Sequence, residues 1–170
     1  IAMEDGKIDL DTDISQYLPK DFPKFKYPVT MKNLLTHTAG FEEQITGMAV
    51  KNVSDTEPLS VSVVKHMPAQ IFKPNDTASY SNYGIALAAY VIENVTGEDF
   101  ADYCEKKIFQ PLHMNRTTFT YMQDTVYVSK AYLPNGEETS EVFMNLYPEG
   151  SAVSTAEDMA KYIQWLLSED

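Results

Sequence analysis

The chain has 170 residues, 44% of them hydrophobic and 12% aromatic, with 13 Lys and Arg against 25 Asp and Glu for a net charge of −12. That composition supports a real core and excludes a disordered or low-complexity chain, and the acidic excess without a basic stripe argues against nucleic acid or an anionic membrane surface as partner. A single cysteine, Cys104, excludes an internal disulfide framework and a multi-thiolate metal site, and the longest apolar run, residues 85 to 92, is too short to span a bilayer.

In chain order, residues 1 to 6 read as the last turn of a helix closed by Gly6. A short amphipathic turn over 14 to 18 stops at Pro19. Aspartates at 9, 11 and 13 mimic the start of a calcium loop, but Ile14 stands where its glycine belongs and Lys20 where its bidentate Glu belongs, so a capped turn is expected. Thr30 caps a helix through Met31, Leu34 and Leu35 that ends near Thr38-Ala39-Gly40, and residues 41 to 58 lack periodicity. Val61, Val64 and Met67 predict a short helix ended by Pro68, and Pro74-Asn75 a turn.

The strongest helix is capped by Ser81, carries Leu87, Val91 and Val95 on one stripe with Ala88 and Ile92 beside it, and closes at Gly97. Another starts near Glu98, buries Phe100, Cys104 and Ile108, and stops before Pro111. Alternation at Val126, Val128 and Tyr132, then Asn135-Gly136, then Val142 and Met144 predicts a β-hairpin over about 126–144. A capping box, Ser154-Thr155-Ala156-Glu157, opens the last helix, with apolar residues at 156, 159, 160, 163, 166 and 167. A mainly α domain over 1–170 with one small hairpin follows. A chain that opens and closes inside helices is expected to be part of something larger and to expose an apolar face.

No cofactor or metal is expected. His37, His66 and His113 lack ligand spacing and read as surface or capping imidazoles, and phosphate-cradling loops and a Gly-x-Ser-x-Gly elbow are absent. One segment carries chemistry. In Ser79-Tyr80-Ser81-Asn82, a phenol and a carboxamide two residues apart point the same way at the mouth of a helix. Tyr80 can exchange protons if a cation sits beside it, and Asn82 offers a donor and an acceptor to an amide-bearing ligand. Packing at the helix start and local bonding are their ordinary use there.

Residues 34 to 41, Leu-Leu-Thr-His-Thr-Ala-Gly-Phe, resemble the Leu-Leu-Thr-His-Thr-Ser-Gly signature of the serine β-lactamase-related family, which spans class C β-lactamases, D-alanyl-D-alanine peptidases and related esterases. Gly6-Lys7-Ile8-Asp9-Leu10-Asp11, Tyr80-Ser81-Asn82, Pro111-Leu112-His113-Met114 and residues 150 to 159 (Gly-Ser-Ala-Val-Ser-Thr-Ala-Glu-Asp-Met) resemble further motifs of that family in its order. The resemblance implies the helical subdomain of the β-lactamase/DD-peptidase fold, without its main antiparallel sheet. It also implies acyl transfer through a serine on β-lactams, D-Ala-D-Ala peptides or related amides and esters, outside the cytoplasm. Tyr80 and Asn82 fall on the family's catalytic Tyr-x-Asn element.

The nucleophile and base, Ser-x-x-Lys, would precede residue 1, and Lys-Thr-Gly would follow residue 170, so the chain alone is expected to be inert. Ser62-Val63-Val64-Lys65 fits Ser-x-x-Lys literally but lies where the family has no nucleophile, and Ser62 is expected to be a surface or capping residue of its helix. The alternative is a non-catalytic helical binding or regulatory module built on the same scaffold. The expected partner of the parent enzyme is a small-molecule or peptide substrate, with homo-oligomerisation expected through the exposed apolar face and no membrane segment in this chain.

Overall fold

The computed structural model describes residues 1–121, 128–140 and 142–168. The core is arranged around α3, Asn82–Thr96, whose buried Tyr83, Ala86, Leu87, Ala89, Tyr90 and Val91 meet Leu34 of α1 (Met31–Leu35), Val63 of α2 (Leu59–Lys65) and the loop residues Ile14, Val29, Phe41 and Leu146. Its boundaries are those its caps demand. Ser81 is extended and its hydroxyl accepts the Gly84 N–H at 3.1 Å, while Gly97 is left-handed at φ 74° and its N–H closes on Glu93 O. Thr30 caps α1 in a reciprocal box with Asn33. Tyr83 ties α3 to α2 through a hydrogen bond from its hydroxyl to Val63 O at 2.9 Å.

Before α1, Asp9 and Asp13 spend their carboxylates on local turns: Asp9 accepts the N–H groups of Asp11 and Thr12, and Asp13 caps the single 3₁₀ turn Ile14–Gln16. Residues 1 to 7 form a helical turn that Gly6 closes at φ 68°.

A second, smaller core forms where α4, Phe100–Cys104, continues as a π-helical turn, Glu105–Phe109. Cys104, Phe109 and Met114 are buried there, with Phe100, Ile108, Phe119 and Tyr162 packed on them. Burial pushes the Cys104 thiol up to about 12, with Asp99 adding to it, so the sulfur is an apolar core atom rather than a nucleophile. Asp99 caps α4, accepting the N–H groups of Ala101 and Asp102.

Three sequence expectations are corrected. The last helix, α5 (Ala156–Leu167), is capped one residue later than predicted: Thr155 Oγ1 accepts the Asp158 N–H, because the Ser154 hydroxyl is engaged with Thr117 Oγ1 at 2.8 Å. In α2 the inner face is Leu59, Ser62 and Val63, while Val61 and Val64 are exposed: the helix starts at Leu59, and Leu59 and Val63 are the residues that join the main core, with the Val63 carbonyl bound to the Tyr83 hydroxyl of α3. Ser62 is therefore fully buried and not a surface or capping residue.

The hairpin forms at Asn135-Gly136, with Tyr132 bridged to Glu138 and Thr139 N–H donating to Ala131 O at 2.9 Å; Val126 lies outside the described residues. Phe143–Met144 (β2), however, pairs antiparallel with Ala49–Val50 (β1), Ala49 opposite Met144 and Val50 opposite Phe143. The buried Asn145 fixes that register. Its N–H donates to Met48 O, its Nδ2 to Gly47 O, and its Oδ1 accepts the Glu57 N–H.

The segments 37–42 and 69–79 run alongside each other. Ser79 N–H donates to His37 O, Asn75 N–H to Thr38 O, Ile71 and Phe72 N–H to Gly40 O, and Glu42 N–H to Ala69 O. Gly40 is left-handed at φ 80°, and a Cβ built on it would sit 2.2 Å from Phe72 O. We expect Gly40→Ala to cost about 3 kcal/mol or more from backbone strain and overlap together. Thermal denaturation by circular dichroism should show a midpoint lower by on the order of 10 °C; a midpoint within 2 °C of the parent would refute this close approach.

Candidate active site

The route from sequence to site runs through that paired backbone. Pro74 and Asn75 occupy the central positions of a turn closed by Asp76 N–H to Lys73 O, with Asn75 left-handed at φ 71°. Asn75 Oδ1 accepts from Asn33 Nδ2 at 2.8 Å, so a turn outside the helices is pinned to a buried amide of α1. The chain then rises extended to Ser81 and enters α3. Tyr80 and Asn82 consequently project together at the helix mouth, and the Tyr80 hydroxyl donates to Asn82 Oδ1 at 2.8 Å. Tyr80 is 61% exposed, so its hydroxyl is open to a ligand.

His37 supports them from below. It is left-handed at φ 54°, its Nδ1 accepts the Ser81 N–H at 3.2 Å, and its ring lies 4.6 Å from the Tyr80 ring, centroid to centroid, tilted by 38°. The imidazole thus acts as a local cap, whereas the His66 ring is neither a surface nor a capping group, being 10% exposed with its Nε2 3.7 Å from Glu57 Oε2. Of the others, the backbone of His66 closes α2, and the carbonyl of His113 accepts from Lys161 Nζ.

Two acidic residues at the site carried no sequence signal. Glu43 faces the start of α3: Oε2 accepts the Asn82 N–H at 3.0 Å and Oε1 accepts Asn82 Nδ2 at 2.7 Å. Asn82 is the first residue of a 15-residue helix, so an anion there also meets the positive end of the helix dipole. Glu149 follows Pro148 in a single 3₁₀ turn, and both of its carboxylate oxygens are buried without a hydrogen-bond partner among the described residues. Burial first, and then the nearby negative charge of Glu43, push its carboxyl up to about 7. Glu43 lies 39 residues from Asn82 in an aperiodic stretch, so only the folded chain brings them together.

Ser62 and Lys65 do not form a reactive pair. Ser62 Oγ is buried without a partner among the described residues, while Lys65 Nζ binds the Glu57 carboxylate at 2.6 Å on the exposed side of α2. Near the α5 end of the chain, Asp158 pins the second core to that helix by accepting from Arg116 N–H and Thr117 Oγ1, and it also accepts from Lys161 Nζ of the same helix. Burial pushes its carboxyl up, and these bonds more than offset that and hold it below the usual carboxylate range. No helix among the described residues is long and apolar enough to cross a membrane, and no three His, Cys, Asp or Glu among them converge as a metal site.

The Glu149 shift has a defined sign. Its folded carboxyl keeps a proton at a pH where the unfolded chain, near 4.5, has lost it, so stability falls as pH rises from about 4.5 to about 7 and is level beyond. We expect Glu149→Gln to remove part of that loss, the group being only half-buried, raising the thermal midpoint by about 2–4 °C at pH 8, equivalent to roughly 1 kcal/mol, and by nothing measurable at pH 4.5. Denaturation scans at the two pH values check this.

Comparison with known proteins bears on the family and the fold. The family model described as Beta-lactamase matches residues 1–170. "Putative penicillin-binding protein PbpX" of Bacillus subtilis (strain 168) is 32% identical over 171 residues, covering 96% of this chain and 41% of its own length. The D-alanyl-D-alanine-carboxypeptidase/endopeptidase AmpH of Escherichia coli (strain K12) is 27% identical over 173 residues, covering 99% of this chain and 45% of its own. The crystal structure of a beta-lactamase/D-alanine carboxypeptidase from Yersinia pestis, complexed with citrate, superposes with a TM-score of 0.78 at 24% identity, over 98% of this chain and 49% of that one. The chain thus spans less than half the length of these relatives, and its mostly helical fold matches about half of the Yersinia pestis structure. With a match along its whole length, motifs in the family's order and the same fold, the chain belongs to the beta-lactamase family.

Proposed function

We propose that this chain supplies the Tyr80–Asn82 part of a serine acyl-transfer site, working outside the cytoplasm on β-lactams, D-Ala-D-Ala peptides or related amides and esters. The observation that carries the reading is the Tyr80–Asn82 hydrogen bond at an open helix mouth, seated on His37 of the Thr-His-Thr motif. In that arrangement Tyr80 relays a proton to and from the reacting oxygen or leaving group, and Asn82 aligns the substrate amide. The serine nucleophile, its lysine and the oxyanion hole are assigned to segments other than residues 1–170, because the only Ser-x-x-Lys here has its serine sealed in the core.

The surface of α5 supports a site assembled from more than these residues. The helix docks through Asp158, Lys161 and Tyr162, and turns Met159, Ile163, Leu166 and Leu167 outward. That face is the expected seat of further parts of the protein or of a second copy.

Incubated with a labelled penicillin, the 170-residue chain should show no mass increase, whereas the intact gene product should gain one label on a serine outside these residues. Tyr80→Phe in the intact product should slow acylation by about 100-fold or more. A stable adduct on Ser62, or unaltered acylation in that variant, would overturn this reading. Absence of any adduct on the intact product would leave the non-catalytic module in its place.

A further inference from the structure

We propose that Glu43 is the positioning residue of this site, the group that decides which way the Asn82 carboxamide faces. The oxygen and nitrogen ends of a carboxamide are nearly the same size, so a side chain at an open helix mouth adopts either orientation unless a partner distinguishes them. Glu43 distinguishes them absolutely. An ionised carboxylate only accepts, and Glu43 Oε1 lies 2.7 Å from the Asn82 nitrogen while Oε2 holds the Asn82 backbone N–H at 3.0 Å. Turning the amide over would place two acceptor oxygens at that distance, replacing a charge-assisted bond with repulsion.

The consequence passes to Tyr80. With Nδ2 committed to Glu43, Oδ1 must face the phenol, and Tyr80 is the donor of the 2.8 Å bond. A flipped amide would make Tyr80 the acceptor and reverse the direction of its proton. In the fixed orientation one Nδ2 hydrogen and one Oδ1 lone pair remain open, the pair of groups needed to meet the C=O and N–H of an amide. Glu43 is itself anchored, since it directly follows the stretch in which Phe41 bridges Gln70 and Glu42 N–H donates to Ala69 O. Its polar partners on the helix side all belong to Asn82, so its action on chemistry runs through that side chain.

The kinetic part of this inference rests on the acyl-transfer reading above; the orientation itself does not. On the 170-residue chain, NMR of the Asn82 side chain should show two well-separated Nδ2 proton signals, one moved downfield by the carboxylate. The separation should collapse in Glu43→Ala and be intermediate in Glu43→Gln, whose oxygen accepts one of the two bonds. Unchanged Asn82 signals in Glu43→Ala would overturn the proposal.

On the intact gene product, Glu43→Ala should lower kcat/KM about tenfold or more, Glu43→Gln should recover part of the loss, and Glu43→Ala should have no further effect when Asn82 is already alanine. Full additivity of the two substitutions would equally overturn it, because a merely structural role would add. A parent protein that turns over no substrate would instead refute the acyl-transfer reading, with the role of Glu43 still decided by the NMR comparison.

Discussion

The hydrogen bonds between residues 37–42 and 69–79 are the constraint on which the rest of the site depends. They join a stretch that leaves α1 to one that leads into α3, in the order His37 with Ser79, Thr38 with Asn75, Gly40 with Ile71 and Phe72, and Glu42 with Ala69. Neither stretch is a regular strand, so their backbone groups would be left without partners if they did not pair. The pairing is close enough that Gly40 must lack a side chain against Phe72, and it needs left-handed backbone at His37, Gly40 and Asn75. Of these, His37, a non-glycine residue in that region, lies directly beneath Tyr80. The ring of His37 is thereby placed under Tyr80, and Glu43 emerges one residue past the last paired position, facing Asn82.

Buried polar side chains perform the same service elsewhere in the chain. Asn33 bonds Thr38 and Asn75; Gln70 accepts the Tyr27 N–H and donates to Ala39 O; Asn145 holds Gly47, Met48 and Glu57; Asp158 holds Arg116 and Thr117. Each is less than 9% exposed and satisfies loop groups that no helix or sheet supplies. With two strands of two residues each among the described residues, the fold relies on such pins because it has little ladder there to rely on. Against that background, Glu149 stands out as a carboxylate with both oxygens buried and without a hydrogen-bond partner among the described residues, and it lies near the charge of Glu43.

What could be read from sequence follows from the range of the interactions involved. The caps at Thr30, Ser81 and Gly97 and the turn at Pro74-Asn75 are local, and the structure has them where residue types place them. The errors are local competitions. Ser154 and Thr155 both offer a cap hydroxyl, and the contact of Ser154 with Thr117, 37 residues away, leaves the role to Thr155. Ser62 reads as a surface residue because Val61 and Val64 look like the stripe, yet it is Leu59 and Val63 that pack into the main core, with Tyr83 of α3 bound to the Val63 carbonyl. The pairing of β1 with β2 involves too few residues to give an alternating pattern, and the Glu43–Asn82 contact has no local signature at all. Tyr80 and Asn82 were legible as a pair through their spacing; the residue that orients them was not.

The two faces of α5 show how packing and electrostatics divide the work. Its inward side is held by the Asp158 carboxylate on Arg116 and Thr117, by Lys161 Nζ on the His113 carbonyl and by Tyr162 on the second core, so the helix is fixed largely by polar contacts. Its outward side carries Met159, Ile163, Leu166 and Leu167, with Leu167 78% exposed. Fully covering a side chain of this kind contributes about 1.5–3 kcal/mol, so the uncovered stripe holds back a larger free energy than any single contact that docks the helix. Polar contacts fix the direction of α5 without using its apolar area, which leaves that area available to an added layer while Tyr80, Asn82 and Glu43 stay on elements that the main core already holds.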